Sequence, residues 1–269
     1  MPFAQAGDVR LHYEMFGQGV PFVLVSGTGW PGEPWKLYQA PAFAERYQVI
    51  VYDHRGVGKS DAPAGYYSTR MFARDAANLL DAIGIKEPAH IMGHSMGGTV
   101  SLLYAAKYPG RAKSLIVIDS TVNLSAERIG RLRDIGSRPG KNYETQDELV
   151  SRYRLRPGDS LATPDVVQHI ARNSSKQAED GTWRHKFDRA VYATRQVFDG
   201  TPLWADVKIP ALLVKGDRSE RITPEVVAET RKLAPQVELA EVSNTDHHVT
   251  LDNPIGFLEA VRPFLAKHR

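Results

Sequence analysis

The sequence predicts an α/β protein: a mainly parallel, doubly wound sheet carrying an inserted helical cap. Three observations point there. Short apolar runs of strand length, PFVLV (21–25), YQVIVYD (47–53), AHIMG (89–93), SLIVID (114–119), ALLVK (211–215) and VELAEV (237–242), are separated by helical segments. Runs of this kind, bounded by turn residues, suit parallel strands covered on both faces. The apolar period also switches repeatedly from strand-like to helical. Finally, this alternation stops between about Thr121 and Pro202, where the text turns arginine-rich and helical without a convincing buried strand.

In chain order, MPFAQAGDVRLHYE comes first and places His12 in a strand-like run. After PFVLV comes a glycine-rich loop, LVSGTGWPGEPW, and after YQVIVYD the turn DHRGVGKSD. Phe72, Ala76, Leu79 and Ile83 then share one helical face, with Ser68 placed to cap the start and Gly84 the end. AHIMG runs into GHSMGG and an amphipathic helix, and SLIVID ends on Asp119. The insertion reads as helices through AERIGRLRDIG, DELVSRYRLR, PDVVQHIARN and DRAVYATRQVF. ALLVK leads into KGDRSERITP with a helix starting at Pro224, and VELAEV into SNTDHHVTLDNP and a final helix. The expected organisation is a core of 1–120 and 203–269, with 121–202 forming a lid over the strand ends, where open α/β sheets bind ligands.

Composition narrows the function. The chain has 269 residues, 42% hydrophobic and 24% charged, enough for one substantial core. Thirty-four Lys and Arg against 31 Asp and Glu leave a net charge of only +3, which argues against nucleic-acid or membrane-surface partners. Zero cysteines exclude disulfides, thiolate metal sites and a cysteine nucleophile. Neither a signal-like N-terminus nor a bilayer-length apolar run is evident, so a soluble, cytoplasmic protein is expected.

The strongest chemical signal is Gly93-His94-Ser95-Met96-Gly97 between a strand and a helix. G-x-S-x-G at such a turn is a nucleophile elbow: glycines allow a tight turn that holds the serine hydroxyl clear of the backbone. The helix start also offers the Met96 N–H to an oxyanion. Serine needs a base, and of nine histidines His247 and His248 follow the last strand, where a base would be expected. His12, His90, His169, His185 and His268 read as structural or solvated. His54 and His94 read as loop-packing residues near the site, and His94 is carried as a pocket candidate.

Taken together, GHSMGG, YDHRGVGKSD and HHVTLDNP resemble the α/β-hydrolase superfamily over nearly the whole chain. In that superfamily the base histidine precedes an acidic-x-Pro at fixed distance, and counting back from Asp252-Asn253-Pro254 selects His247. The DHRG loop is structural there, with Arg55 shaping a turn. The usual His-Gly of the first oxyanion loop is replaced by Ser26-Gly27, and the resemblance gives the donor as the backbone N–H of Thr28, beside that of Met96. Trp30 and Trp35 are then candidates for the pocket wall or for core packing.

The resemblance also calls for an acid after the penultimate strand, and Ser219 stands at that position. Asp119, Glu220 and Asp217 are the replacements. Asp119 is preferred because some subgroups resembling this chain keep the acid at that earlier strand end. The implied activity is hydrolysis of a small carboxylic ester or lactone through an acyl-enzyme, with no cofactor and no metal. Carbon–carbon hydrolysis of ring-fission diketones and a small-molecule receptor role are the alternatives. The arginine-rich lid suits either an anionic substrate or a solvated helix face.

Overall fold

A computed structural model describes residues 2–269. Its sheet has eight strands: β1 (Phe3–Ala6), β2 (Val9–Phe16), β3 (Val20–Val25), β4 (Tyr47–Tyr52), β5 (Ala89–His94), β6 (Ala112–Ile118), β7 (Ala211–Gly216) and β8 (Val237–Val242). They lie in the order β1-β2-β4-β3-β5-β6-β7-β8. β1 pairs with β2, and β2 with β4, antiparallel; all remaining neighbours are parallel. The six apolar runs became β3 to β8 with ends moved by at most two residues. The β1–β2 hairpin was not set out as a pair of strands in the sequence reading. It lies at one edge of the sheet, and exposed or partly buried residues interrupt both strands, so it lacks the continuous apolar run that marks a doubly covered strand.

Successive side chains of each central strand feed opposite layers. Ile91, Val117 and Leu213 pack with Phe72, Val100 and Tyr104 beneath α2 (Thr69–Ala82) and α3 (Met96–Lys107). Met92, Ile116 and Leu212 pack with Phe43, Phe257 and Phe264 of α1 (Gln39–Ala44) and α9 (Pro254–Lys267) on the other face. Each fully buried side chain of this size contributes about 1.5–3 kcal/mol. Ser68 caps α2 by accepting from Met71 N at 3.2 Å, and Gly84 follows with φ of 80°. α8 (Pro224–Leu233) starts at the expected proline, capped by Thr223.

Between β6 and β7 the chain forms α4 (Ala126–Ser137), α5 (Gln146–Arg152), α6 (Pro164–Asn173) and α7 (Ala190–Ala193). It also contains two short antiparallel ribbons, Ser175–Gln177 with Trp183–His185 and Asn123–Leu124 with Phe198–Asp199. The ribbons are short, and the helix read through DRAVYATRQVF is shorter than expected. Only Ala190–Ala193 is helical, because Thr194 turns its hydroxyl back onto Ala190 O at 2.7 Å and accepts from Tyr67 N at 2.8 Å, tying the chain to the core. The next residues extend and pair with the segment that leaves β6, so entry and exit of the insertion are hydrogen-bonded to each other. Among the described residues no helix is long and apolar enough to cross a membrane.

The DHRG turn is held from inside. Asp53 accepts from Gly32 N at 2.7 Å and Lys59 N at 2.9 Å, and Arg55 is buried on Asp75 at 2.5 and 2.7 Å. His54 and His90 are fully buried, and burial pushes both down to about 4. A base depressed in this way stays neutral when folded while the unfolded chain takes up a proton near the ordinary histidine value. Its stability is therefore fully present above about 6.5 and lost as pH falls toward 4. The expected loss is on the order of 3 kcal/mol per histidine across that window. Urea unfolding at pH 7.5 and 4.5 checks it, and His90→Asn should flatten the dependence.

Candidate active site

β5 ends at His94, and α3 begins at Met96, so Ser95 makes the whole turn between them. Its φ of 56° lies in the left-handed region, a strained conformation for a serine. The turn survives because Gly93 and Gly97, two residues before and after the serine, carry no side chain. A Cβ on Gly93 would sit 2.1 Å from Gly97 O, and one on Gly97 would sit 2.1 Å from Val25 O. Ser95 N donates to Ile118 O at 2.9 Å, which ties the turn to the end of β6.

At that end Asp119 also adopts a left-handed φ, 43°, and its N–H reaches Val214 O of β7 at 2.8 Å. Its carboxylate is fully buried and collects donors from two distant loops. His247 Nδ1 lies 2.6 Å from Oδ2, and Ser219 Oγ donates to the same oxygen at 2.8 Å. Arg221 Nε stands 3.7 Å away. On the other side of the imidazole, His247 Nε2 is 3.1 Å from Ser95 Oγ. Ser95, His247 and Asp119 thus form one hydrogen-bonded series.

Burial pushes Asp119 up to about 6, opposed chiefly by the Ser219 hydrogen bond, so it is a carboxylate at neutral pH. Burial, with the positive charge of Arg221 nearby, holds His247 well below the ordinary histidine value and therefore neutral. A neutral imidazole whose Nδ1–H is held by a carboxylate presents Nε2 as an acceptor to the serine hydroxyl. That is the protonation state a general base requires.

The other acid candidates lie elsewhere. Asp217 is exposed and accepts from Asn244 N and Thr245 N at 2.9 and 3.0 Å, which closes the loop before the histidines. Glu220 is exposed, whereas the carboxylate that pairs with His247 is that of Asp119. His248 turns away from Ser95: its Nε2 lies 3.1 Å from Pro157 O and its ring stacks on Trp30 at 5.1 Å. His94 donates from Nε2 to His247 O at 2.7 Å and so fixes the backbone that carries the imidazole. Asp252 accepts from Asp246 N at 2.9 Å, and from Ser160 Oγ and Leu161 N at 2.6 and 2.8 Å. The acidic position of the His-to-Pro spacing therefore joins the histidine loop to the insertion.

Thr28 and Met96 both line the cavity around Ser95, and among the described residues neither backbone N–H has a hydrogen-bond acceptor. Gly27 brings the Thr28 loop against the elbow, since a Cβ there would meet Ser95 Cβ at 3.5 Å. The cavity, of about 400 Å³, is also walled by Trp30, His94, Leu132, Ile135 and Tyr192. Trp35 does not reach it. That residue is buried in the core, where its Nε1 donates to Ser26 Oγ at 3.0 Å.

Sequence reasoning passed over four residues. Ser219 was treated only as an absent acid, whereas its hydroxyl donates to Asp119. Arg221 stands beside the same carboxylate. Tyr192 donates to Thr28 O at 3.0 Å, and Arg195 lines the cavity. For Ser219 the register itself was a signal, because it stands at the loop position that the family resemblance assigned to the acid, and its hydroxyl bonds to Asp119.

Comparison with known proteins agrees with this geometry at the level of the fold. The alpha/beta hydrolase fold family matches residues 20–254. A provisionally named carbamate hydrolase, RutD, of Azorhizobium caulinodans is 30% identical over 98% of both chains. The 2-(acetamidomethylene)succinate hydrolase of Mesorhizobium japonicum is 29% identical over 82% of this chain and 80% of its own. A crystal structure of E-2-(acetamidomethylene)succinate hydrolase superposes with a TM-score of 0.87 at 24% identity, covering 98% of each chain. The chain is accordingly a member of the α/β-hydrolase family, and a hydrolase.

Proposed function

We propose that this hydrolase cleaves a small carboxylic ester or lactone through an acyl-enzyme, with Ser95 as nucleophile, His247 as base and Asp119 as the triad acid. The observation that carries the reading is the continuous series from Ser95 Oγ through His247 to the buried Asp119 carboxylate. His247 Nε2 takes the Ser95 proton as Oγ attacks the carbonyl carbon. The N–H groups of Thr28 and Met96 then stabilise the negative oxygen. The protonated His247, held by Asp119, passes its proton to the leaving group as the carbon–heteroatom bond breaks. Water, deprotonated by the same imidazole, attacks the acyl-enzyme and restores Ser95. The segment 121–202 acts as a lid that walls this reaction from solvent.

A second reading has its own support. Both curated relatives described above are named for substrates with an acyl–nitrogen bond, and the same steps cleave an amide or carbamate. An activated ester distinguishes the mechanism from the substrate preference. Wild-type protein mixed with excess p-nitrophenyl butyrate should release a burst of nitrophenol equal to the enzyme present. A fluorophosphonate should add one adduct, located by mass spectrometry on the peptide carrying Ser95. Steady hydrolysis with no Ser95 adduct would overturn the acyl-enzyme reading.

A further inference from the structure

Arginines of the insertion differ in their partners. Arg131, Arg138 and Arg152 are exposed and pair one turn back along their own helices with Glu127, Asp134 and Glu148. Each of the three has its own counter-charge, including Arg131, which also borders the cavity around Ser95. Arg195 is different. It follows α7, is 2% exposed, and lines the cavity that holds Ser95. Its Nε and Nη1 find no hydrogen-bond partner, and no carboxylate among the described residues pairs with it. A guanidinium removed from water without a counter-charge is costly, and the burial pulls Arg195 down to about 10. Such a group is tolerated where an anion completes it.

The rest of the cavity has the same imbalance. Arg128, Arg131, Arg156 and Arg221 line it as well, and among the described residues its only carboxylate is Asp119, already engaged by His247 and Ser219. Arg128 reaches only the Thr121 hydroxyl, at 3.3 Å. Arg195 is also held at a set position relative to the elbow. Its N–H donates to Tyr192 O at 3.2 Å, its carbonyl accepts from Arg133 Nε at 2.6 Å, and Tyr192 Oη donates to Thr28 O. The backbone that carries the guanidinium is thereby linked to the loop beside Ser95.

We infer that Arg195, assisted by Arg128 and Arg156, binds a carboxylate on the substrate remote from the bond that is cleaved. The substrate class is then a small acyl compound with a free acid, such as a half-ester or half-amide of a dicarboxylic acid. A planar guanidinium suits a carboxylate's two oxygens, and the cavity has room for a compound of this size. The inference rests on the acyl-enzyme reading for which end of the substrate reacts, but the anion site is testable without turnover.

The kinetic test compares p-nitrophenyl hydrogen glutarate with p-nitrophenyl valerate, which share chain length and leaving group. Wild type should prefer the acid by about 10- to 100-fold in kcat/KM, expressed mainly in KM, the range expected of one hydrogen-bonded ion pair. Arg195→Met should bring the ratio close to one, and Arg156→Gln should lower it in part. An equal rate on both esters in wild type, or a variant that slows both and leaves the ratio intact, would overturn the inference. The second test removes chemistry altogether. Glutarate should bind Ser95→Ala protein by calorimetry, and bind at least about tenfold more weakly once Arg195→Met is added. It should raise the melting temperature of the first protein and not of the second. No glutarate binding, or binding indifferent to Arg195, would sink the carboxylate site even if Ser95 proved to be the nucleophile. Tighter binding of inorganic phosphate than of glutarate would overturn it in favour of a phosphoryl group.

Discussion

Asp119→Asn is expected to lower kcat/KM on aryl esters by about 10³- to 10⁴-fold while the protein stays folded. The reason is tautomeric as well as electrostatic. Asparagine can present its amide N–H to His247 Nδ1, which moves the ring proton to Nε2 and turns it toward Ser95, where an acceptor is needed. It also leaves the imidazolium formed during attack without a counter-charge in a buried site. Glu220→Gln and Asp217→Asn should leave the rate nearly unchanged, because the first side chain is exposed and the second closes a turn. Ser219→Ala removes one hydrogen bond to a buried carboxylate, worth about 1.5 kcal/mol, and should cost about tenfold. Circular dichroism on each variant separates loss of activity from loss of fold. A collapse with Glu220→Gln and none with Asp119→Asn would overturn the assignment.

Ser95→Ala and His247→Ala should each reduce turnover by about 10⁵- to 10⁶-fold, and the double variant should be hardly worse than either single one, since groups that act as a unit are not additive. His248→Ala should lose far less, because that ring packs on Trp30 and bonds to Pro157 O, away from Ser95. Steady-state rates at saturating ester, with active-site titration to count competent enzyme, decide it. If His248→Ala were the damaging substitution, the register counted from Asp252 would be wrong.

How much of this was legible depends on how far apart the interacting residues lie in the chain. The strand runs and the α2 cap were readable because each is a local pattern of a few residues. The elbow was readable for the same reason: Gly93, Ser95 and Gly97 determine one another's space within five residues. The β1–β2 hairpin and the short α7 were not, since an edge strand is only half buried and α7 is ended by the Thr194 contact with Tyr67, 127 residues away. Similarly, a tally of arginines could not tell the helix-face pairs from Arg195, because what distinguishes them is burial without a partner.

The clearest division runs through Asp119. The sequence by itself determined an α/β sheet and a serine on a strained turn, which periodicity and local sterics specify, and the family resemblance added the histidine counted back from Asp252-Asn253-Pro254. It left three carboxylates open for the remaining role. Only the tertiary structure brings the end of β6 against the loop after β7, where Ser219 and Asp119, 100 residues apart, meet at 2.8 Å and turn the carboxylate to His247. Parallel strands that are neighbours in the sheet but distant in the chain make that meeting, and no local pattern records which strand ends will be adjacent.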